Sequence, residues 1–168
     1  GDVYKRQVYF REKDNSTEEI LDINKLSKGL DFYQISGISP SPNNEIIAYG
    51  EDKNGRREYT IKFKNLQNEK LISDQLKNTS GNIAWGNNDY IFYTIKDPET
   101  LISNKVYRHK LGDSQDKDVL IFEEQDVEFN VSISKSRTDR YLFINSSKTE
   151  SNEIWPVSYT HLRAHETI

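Results

Sequence analysis

ISPSPNNEIIAYG, residues 38–50, is the stretch on which the reading of the fold turns. A short apolar start, a polar turn rich in Pro and Asn, and a second apolar run fit two strands joined by a tight connection. The pattern returns as IAWGNNDYIFYTIKD at residues 83–97 and as VSISKSRTDRYLFINSS at residues 131–147. The starting residues Ile38, Ile83 and Val131 lie 45 and 48 positions apart. A period of roughly 40 to 50 residues holding several short strands is the mark of propeller blades, because a four-stranded blade cannot bury both faces until neighbours stack on it. The expected fold class is all-β, a partial β-propeller of about three blades of antiparallel strands.

Outward from the first repeat the same unit continues. Asp52, Lys53, Asn54 and Gly55 form a turn whose Asn-Gly pair suits a two-residue hairpin. In REYTIKFKNL, Tyr59, Ile61 and Phe63 alternate with Thr60, Lys62 and Lys64, the period of a half-buried strand. A polar turn over residues 67–69 then leads to KLISD, expected as an outer strand. KVYRHKLG at residues 105–112 and DVLIFEE at 118–124 are the matching pieces of the second unit. Ahead of the repeats, VYFREK and EEILDI are strand-like, with an Asn-Ser-Thr turn between them. NKLSKG, residues 24–29, reads as a helical turn capped by Asn24 and stopped by Gly29. No long helical periodicity appears, which argues against an α/β sheet enzyme within these limits.

Composition narrows the function classes. The chain has 168 residues, 34% hydrophobic and 11% aromatic, so it is polar but too aromatic for a disordered segment. Lys and Arg number 23 against 27 acids, and a formal charge of -4 supplies no basic field to gather phosphates; no nucleic-acid partner is expected. Without Cys there is no disulfide, thiolate metal site or cysteine nucleophile, and no run approaches the ~18 apolar residues of a membrane span. A cytoplasmic protein is expected. There is also no Met, even at position 1, which suggests a fragment. The ends GDVYKRQ (residues 1–7) and PVSYTHLRAHETI (156–168) lack the periodicity and the Asn, Lys and Ile bias of the middle, and read as foreign tails around a natural segment at residues 8–155. With blade faces and sheet edges open, that segment is expected to be poorly stable alone.

Each candidate for chemistry has a stronger bland explanation. A nucleophile elbow, Gly-x-Ser-x-Gly, is absent. The nearest string, Gly37-Ile38-Ser39-Pro40-Ser41, lacks the second Gly, and Pro40 removes a backbone N–H that could help build an oxyanion hole. His109, between Arg108 and Lys110, has no triad partners in order and reads as a structural or surface residue. Glu123, Glu124, Asp126 and Glu128 lack the spacing of a calcium loop and read as a solvated hairpin end. Trp85, Phe92 and Tyr93 fit packing between blades, and Arg56-Arg57 a surface role. His161 and His165 have the i, i+4 spacing of a zinc-binding helix but no third ligand, and sit in the second tail. No catalytic residue, metal ligand or cofactor is therefore assigned, and the substrate-binding residues are unknown.

The ordered series EEILDINKLSKG, ISPSPNNEIIAYGEDKNGRREYTIKFKNL, NTSGNIAW, KDPETLISNKVYRHKLG, DVLIFEEQDVEF and SKSRTDRYLFINSSKTESNEIW resembles the N-terminal β-propeller of the prolyl oligopeptidase family of serine peptidases, over nearly all of residues 8–155. The Val106-Tyr107-Arg108-His109 step, Leu111-Gly112, Asp118-Val119-Leu120 and the Glu-Glu pair favour its oligopeptidase B branch. The resemblance implies a seven-bladed propeller covering an α/β-hydrolase domain that carries Ser, Asp and His. It also implies short peptide substrates cut after Lys or Arg, and a propeller that keeps large folded substrates out. The implied catalytic residues lie outside this chain, whose partner is then that missing C-terminal domain. The competing expectation is a stand-alone propeller that binds partners without catalysis.

Overall fold

The computed structural model describes residues 7–138 and 140–158. It is a run of antiparallel strands: β1 (Val8–Lys13), β2 (Ser16–Asp22), β3 (Gln34–Pro40), β4 (Ile46–Asp52), β5 (Tyr59–Asn65), β6 (Leu71–Trp85), β7 (Tyr90–Lys96), β8 (Ser103–Lys110), β9 (Val119–Glu123), β10 (Asn130–Lys135), β11 (Leu142–Lys148) and β12 (Ser151–Val157). One helical turn, α1 (Ile23–Leu26), follows β2, and a 3-10 turn, Gln115–Lys117, precedes β9. Strands β1 and β2 form a hairpin, β3 to β9 one sheet in sequence order, and β10 to β12 a third sheet.

The seven-stranded sheet is two blades joined through β6. Its first part pairs with β5, from Lys64↔Leu71 to Tyr59↔Thr79, and its last part with β7, from Thr79↔Ile95 to Trp85↔Ile91. Thr79 thus pairs on both sides. KLISD is the outer strand of the first blade, as the sequence suggested, yet it runs without a break into the inner strand of the second. The turn from one role to the other uses Asn78 and Gly81, at φ 57 and 82. At Gly81 a Cβ would fall 2.8 Å from the Tyr59 ring, so both backbone conformation and space require glycine. The repeat positions Ile38, Ile83 and Val131 all fall on inner strands. Asn82 ties two of these together, its Nδ2 donating to the Ile133 carbonyl (3.2 Å) and its Oδ1 accepting from the Ile133 amide (2.6 Å).

Strand alternation sends side chains into successive seams. Ile47 and Tyr49 face Leu21 of the first hairpin, while Ala48 faces the second blade with Ile61, Phe63, Leu76, Ile83, Trp85, Ile91 and Tyr93. Ala84, Phe92 and Val106 face the third sheet, where Val131, Ile133, Leu142 and Ile144 meet them. A blade buried on both faces reads as a continuous apolar run, and YIFYTI in β7 is one. Trp85 and Tyr93 therefore pack in one seam and Phe92 in the next. Trp85 donates Nε1–H to the Ser39 carbonyl at 2.9 Å and meets Phe63 edge-on.

Three local details differ from expectation. The two-residue hairpin lies at Asp14-Asn15, both at positive φ with Lys13 opposite Ser16, and not at Asn54-Gly55. The β4–β5 connection runs over residues 53–58 because Asp52 organises it: Oδ1 accepts the amides of Asn54 and Gly55, and Oδ2 that of Arg57. Helix α1 starts earlier, with Asp22 as the N-cap accepting from the amides of Asn24 and Lys25, so Asn24 is a donor and not the cap. Asp22 stands two and three residues before these amides and accepts both on Oδ1, whereas Asn24 carries one of them itself.

Candidate functional site

The most developed polar constellation of the described residues is buried. Tyr107 and His109 of β8, with Leu111 just after it, share the period-2 face toward the seam between the first two blades, and His109 is fully buried there. Its ring stacks on Phe63 at 6.1 Å between centroids. Nδ1 lies 2.6 Å from Asp118 Oδ1, and Nε2 lies 3.4 Å from Asp74 Oδ2. Asp118 belongs to the second blade, positioned by the 3-10 turn whose Gln115 carbonyl accepts its amide. Asp74 belongs to the outer strand of the first. The remaining acceptor sites are filled: Tyr93 donates its hydroxyl to Asp118 Oδ2 at 2.7 Å, and the Gly112 amide donates to Asp74 Oδ2 at 2.5 Å.

The charges follow from these contacts. Burial opposes a charged imidazole, but the hydrogen bond and charge of Asp118, and then of Asp74, raise the His109 pKa above its usual 6.5. The Tyr93 phenol is pushed up, chiefly by burial and further by Asp118. An acid–imidazole pair is two members of a nucleophilic triad, but chemistry would also need a hydroxyl or thiol on the other nitrogen. Here that nitrogen faces a second carboxylate. The nearby Ser73 hydroxyl is bound to Asp74 Oδ1 at 3.3 Å. The constellation can hold a charge and join two blades. It carries no nucleophile.

The other residues singled out from sequence are dispersed. Gly37 to Pro40 lie in β3, with Gly37 in a bulge at φ 61, and Ser41 begins the turn with its hydroxyl donating to Asn43 Oδ1 and accepting from the Ile46 amide. The acidic group is spread over the β9–β10 connection: Glu123 meets Lys105 at 3.2 Å, Lys148 meets Glu128 at 3.2 Å, and Glu124 accepts the Ser146 hydroxyl at 2.6 Å. Among the described residues no group of three or more His, Cys, Asp or Glu is arranged to hold a metal ion. Arg56 and Arg57 are exposed in the Asp52 loop, where Lys96 Nζ donates to the Arg57 carbonyl. His161 and His165 lie outside the described residues. Sequence reasoning missed Asp74 and Asp118, since neither stands near His109 in a motif. The available signal was the alternation of Tyr107, His109 and Leu111, which puts the imidazole on a buried face.

Stacked antiparallel sheets with buried seams between them define a class: part of a β-propeller. The chain belongs to the prolyl oligopeptidase family, whose N-terminal β-propeller domain matches residues 2–166. It is 40% identical over 136 residues to dipeptidyl aminopeptidase BI of Pseudoxanthomonas mexicana, covering 80% of this chain and 19% of that protein. It is 35% identical over 145 residues to protease 2 of Moraxella lacunata, covering 84% and 21%. Among solved structures, oligopeptidase B from Leishmania major superposes with a TM-score of 0.87 at 30% identity, over 95% of this chain and 23% of that one. The Trypanosoma brucei oligopeptidase B does so at 0.78 and 30% identity, over 89% and 20%. The chain spans about a fifth of the length of these relatives. Among the described residues no helix is long and apolar enough to cross a membrane.

Proposed function

We propose that this chain is the non-catalytic propeller portion of a cytoplasmic serine oligopeptidase of the oligopeptidase B type. The parent enzyme hydrolyses short peptides after Lys or Arg in an α/β-hydrolase domain outside this chain, and the propeller restricts what reaches it. The observation that carries the reading is the pairing of family membership with a blade stack in which the buried imidazole of His109 is closed off by two carboxylates. The similarity to a dipeptidyl aminopeptidase, a protease and two oligopeptidases B supports a peptidase as the parent. Peptide substrates and the hydrolase domain are its partners. It uses no cofactor, because serine acyl transfer needs only the nucleophile, its base and an oxyanion site. Reading an intact homologous gene past the position of Trp155 tests this. The expected result is a Gly-x-Ser-x-Gly strand-to-helix elbow with Asp and His after it. A frame that adds blades and then stops would replace this reading with a free-standing binding propeller.

A further inference from the structure

We propose that the proton on His109 Nε2 fastens the first blade to the second, so that the seam between them loosens as pH rises. The two hydrogen bonds of the ring are unequal in length and in what they join. Nδ1 to Asp118, at 2.6 Å, stays within the second blade, whereas Nε2 to Asp74, at 3.4 Å, crosses to the outer strand of the first. A carboxylate only accepts, so both contacts are hydrogen bonds only when both ring nitrogens carry hydrogen. On deprotonation the proton leaves for solvent from the longer contact. Nε2 then turns a lone pair toward Asp74 Oδ2, and attraction across the seam becomes repulsion.

Among the described residues, none of the groups packed around the ring supplies a positive charge to replace it. From β6 comes Asp74, from the link before β9 Asp118, from β7 the Tyr93 phenol, and from β5 the uncharged ring of Phe63. Lys62 and Lys64 of β5 face the opposite side, on Glu51 and the Ile20 carbonyl. Arg108, beside His109 in β8, lies over the Tyr90 ring. After deprotonation Asp74 keeps only the Gly112 amide across the seam, a bond that then opens more often, while the Gln115 side chain still exchanges hydrogen bonds with the Lys77 amide and carbonyl at 2.9 and 3.0 Å. The seam therefore loosens locally and does not come apart.

The 15N-labelled 168-residue chain at low temperature tests this by long-range proton–nitrogen spectra between about pH 6 and pH 10, with amide exchange at Gly112 followed in parallel. The expected spectrum shows both His109 ring nitrogens protonated at pH 7.5, a pH at which a free imidazole, titrating near 6.5, is mostly neutral. After correction for intrinsic base catalysis, Gly112 protection falls about tenfold or more as His109 titrates, since each tenfold gain in proton affinity that the closed seam gives His109 is an equal bias of the protonated state toward closure. Asp74→Asn lowers the midpoint and flattens the loss of protection, and His109→Gln abolishes it. If His109→Gln does not fold, Asp74→Asn carries the comparison. A singly protonated ring at pH 7.5, or the same pH profile in Asp74→Asn, overturns the proposal.

Discussion

At the scale of single residues, the ion pairs and the tight glycine make the sharpest predictions. Glu51 is buried and takes Lys62 at 2.6 Å and Lys53 at 3.2 Å. Burial raises its pKa, but the hydrogen bonds and charges of Lys62 and Lys53 outweigh that and hold it below the usual 4.5. A depressed carboxyl contributes stability that is complete above 4.5 and is lost as pH falls through its lowered value. Urea midpoints measured from pH 6 downward, about the range where carboxyls titrate, are expected to fall less steeply in Glu51→Gln than in the parent chain. Gly81→Ala places a Cβ against Tyr59 in a left-handed backbone, and is expected to cost on the order of 2 kcal/mol or more by the same measurement. Phe63→Ala empties the seam that holds Trp85 and His109, with an expected loss of about 3 to 5 kcal/mol.

At the scale of elements, the Asp52 loop and β6 show what a strand meander asks of its connections. Three amides depend on the Asp52 carboxylate, so Asp52→Ala is expected to lower stability by about 1 to 2 kcal/mol and to release the amide protection of Asn54, Gly55 and Arg57. Much at this scale was legible in the sequence. Period-2 alternation located β5, and the repeat marked Ile38, Ile83 and Val131 as equivalent strand starts, which the structure places on inner strands. What escaped notice depended on contacts distant in sequence or on competing turn chemistry. Asn54-Gly55 carries a strong hairpin signal, but an aspartate just before it captured the loop amides. The outer strand beginning at Leu71 and the inner strand ending at Trp85 are one element, because pairing passes from β5 to β7 at Thr79 within a single strand that bends at Asn78 and Gly81. For the buried constellation only His109 was visible as a candidate. Between the charged Arg108 and Lys110 it read equally as a structural or a surface residue, while Asp74, 35 residues away, meets it only after the blades stack.

At the scale of the whole molecule, each sheet covers the next, and the series ends on surfaces that no described residue covers. Strand β12 pairs with β11 alone, and its Ile154 is 55% exposed. Open edges and half-covered blades favour association with other strands. The isolated chain is expected to melt broadly and to self-associate as its concentration rises, measured by calorimetry and analytical ultracentrifugation; a sharp, cooperative transition of a monomer is the contrary result. On the function proposed above, the blades stack to enclose and the chemistry lies outside this chain. His109, the residue nearest to a catalytic part, is held by two acids and serves the seam. The most direct test of that central claim is to incubate the purified 168-residue chain with a fluorogenic arginyl peptide, with and without a serine-directed phosphonylating reagent, and to record the intact mass afterwards. No hydrolysis and no adduct are expected. Hydrolysis that the reagent abolishes, with one added phosphonyl group on the chain, would contradict it.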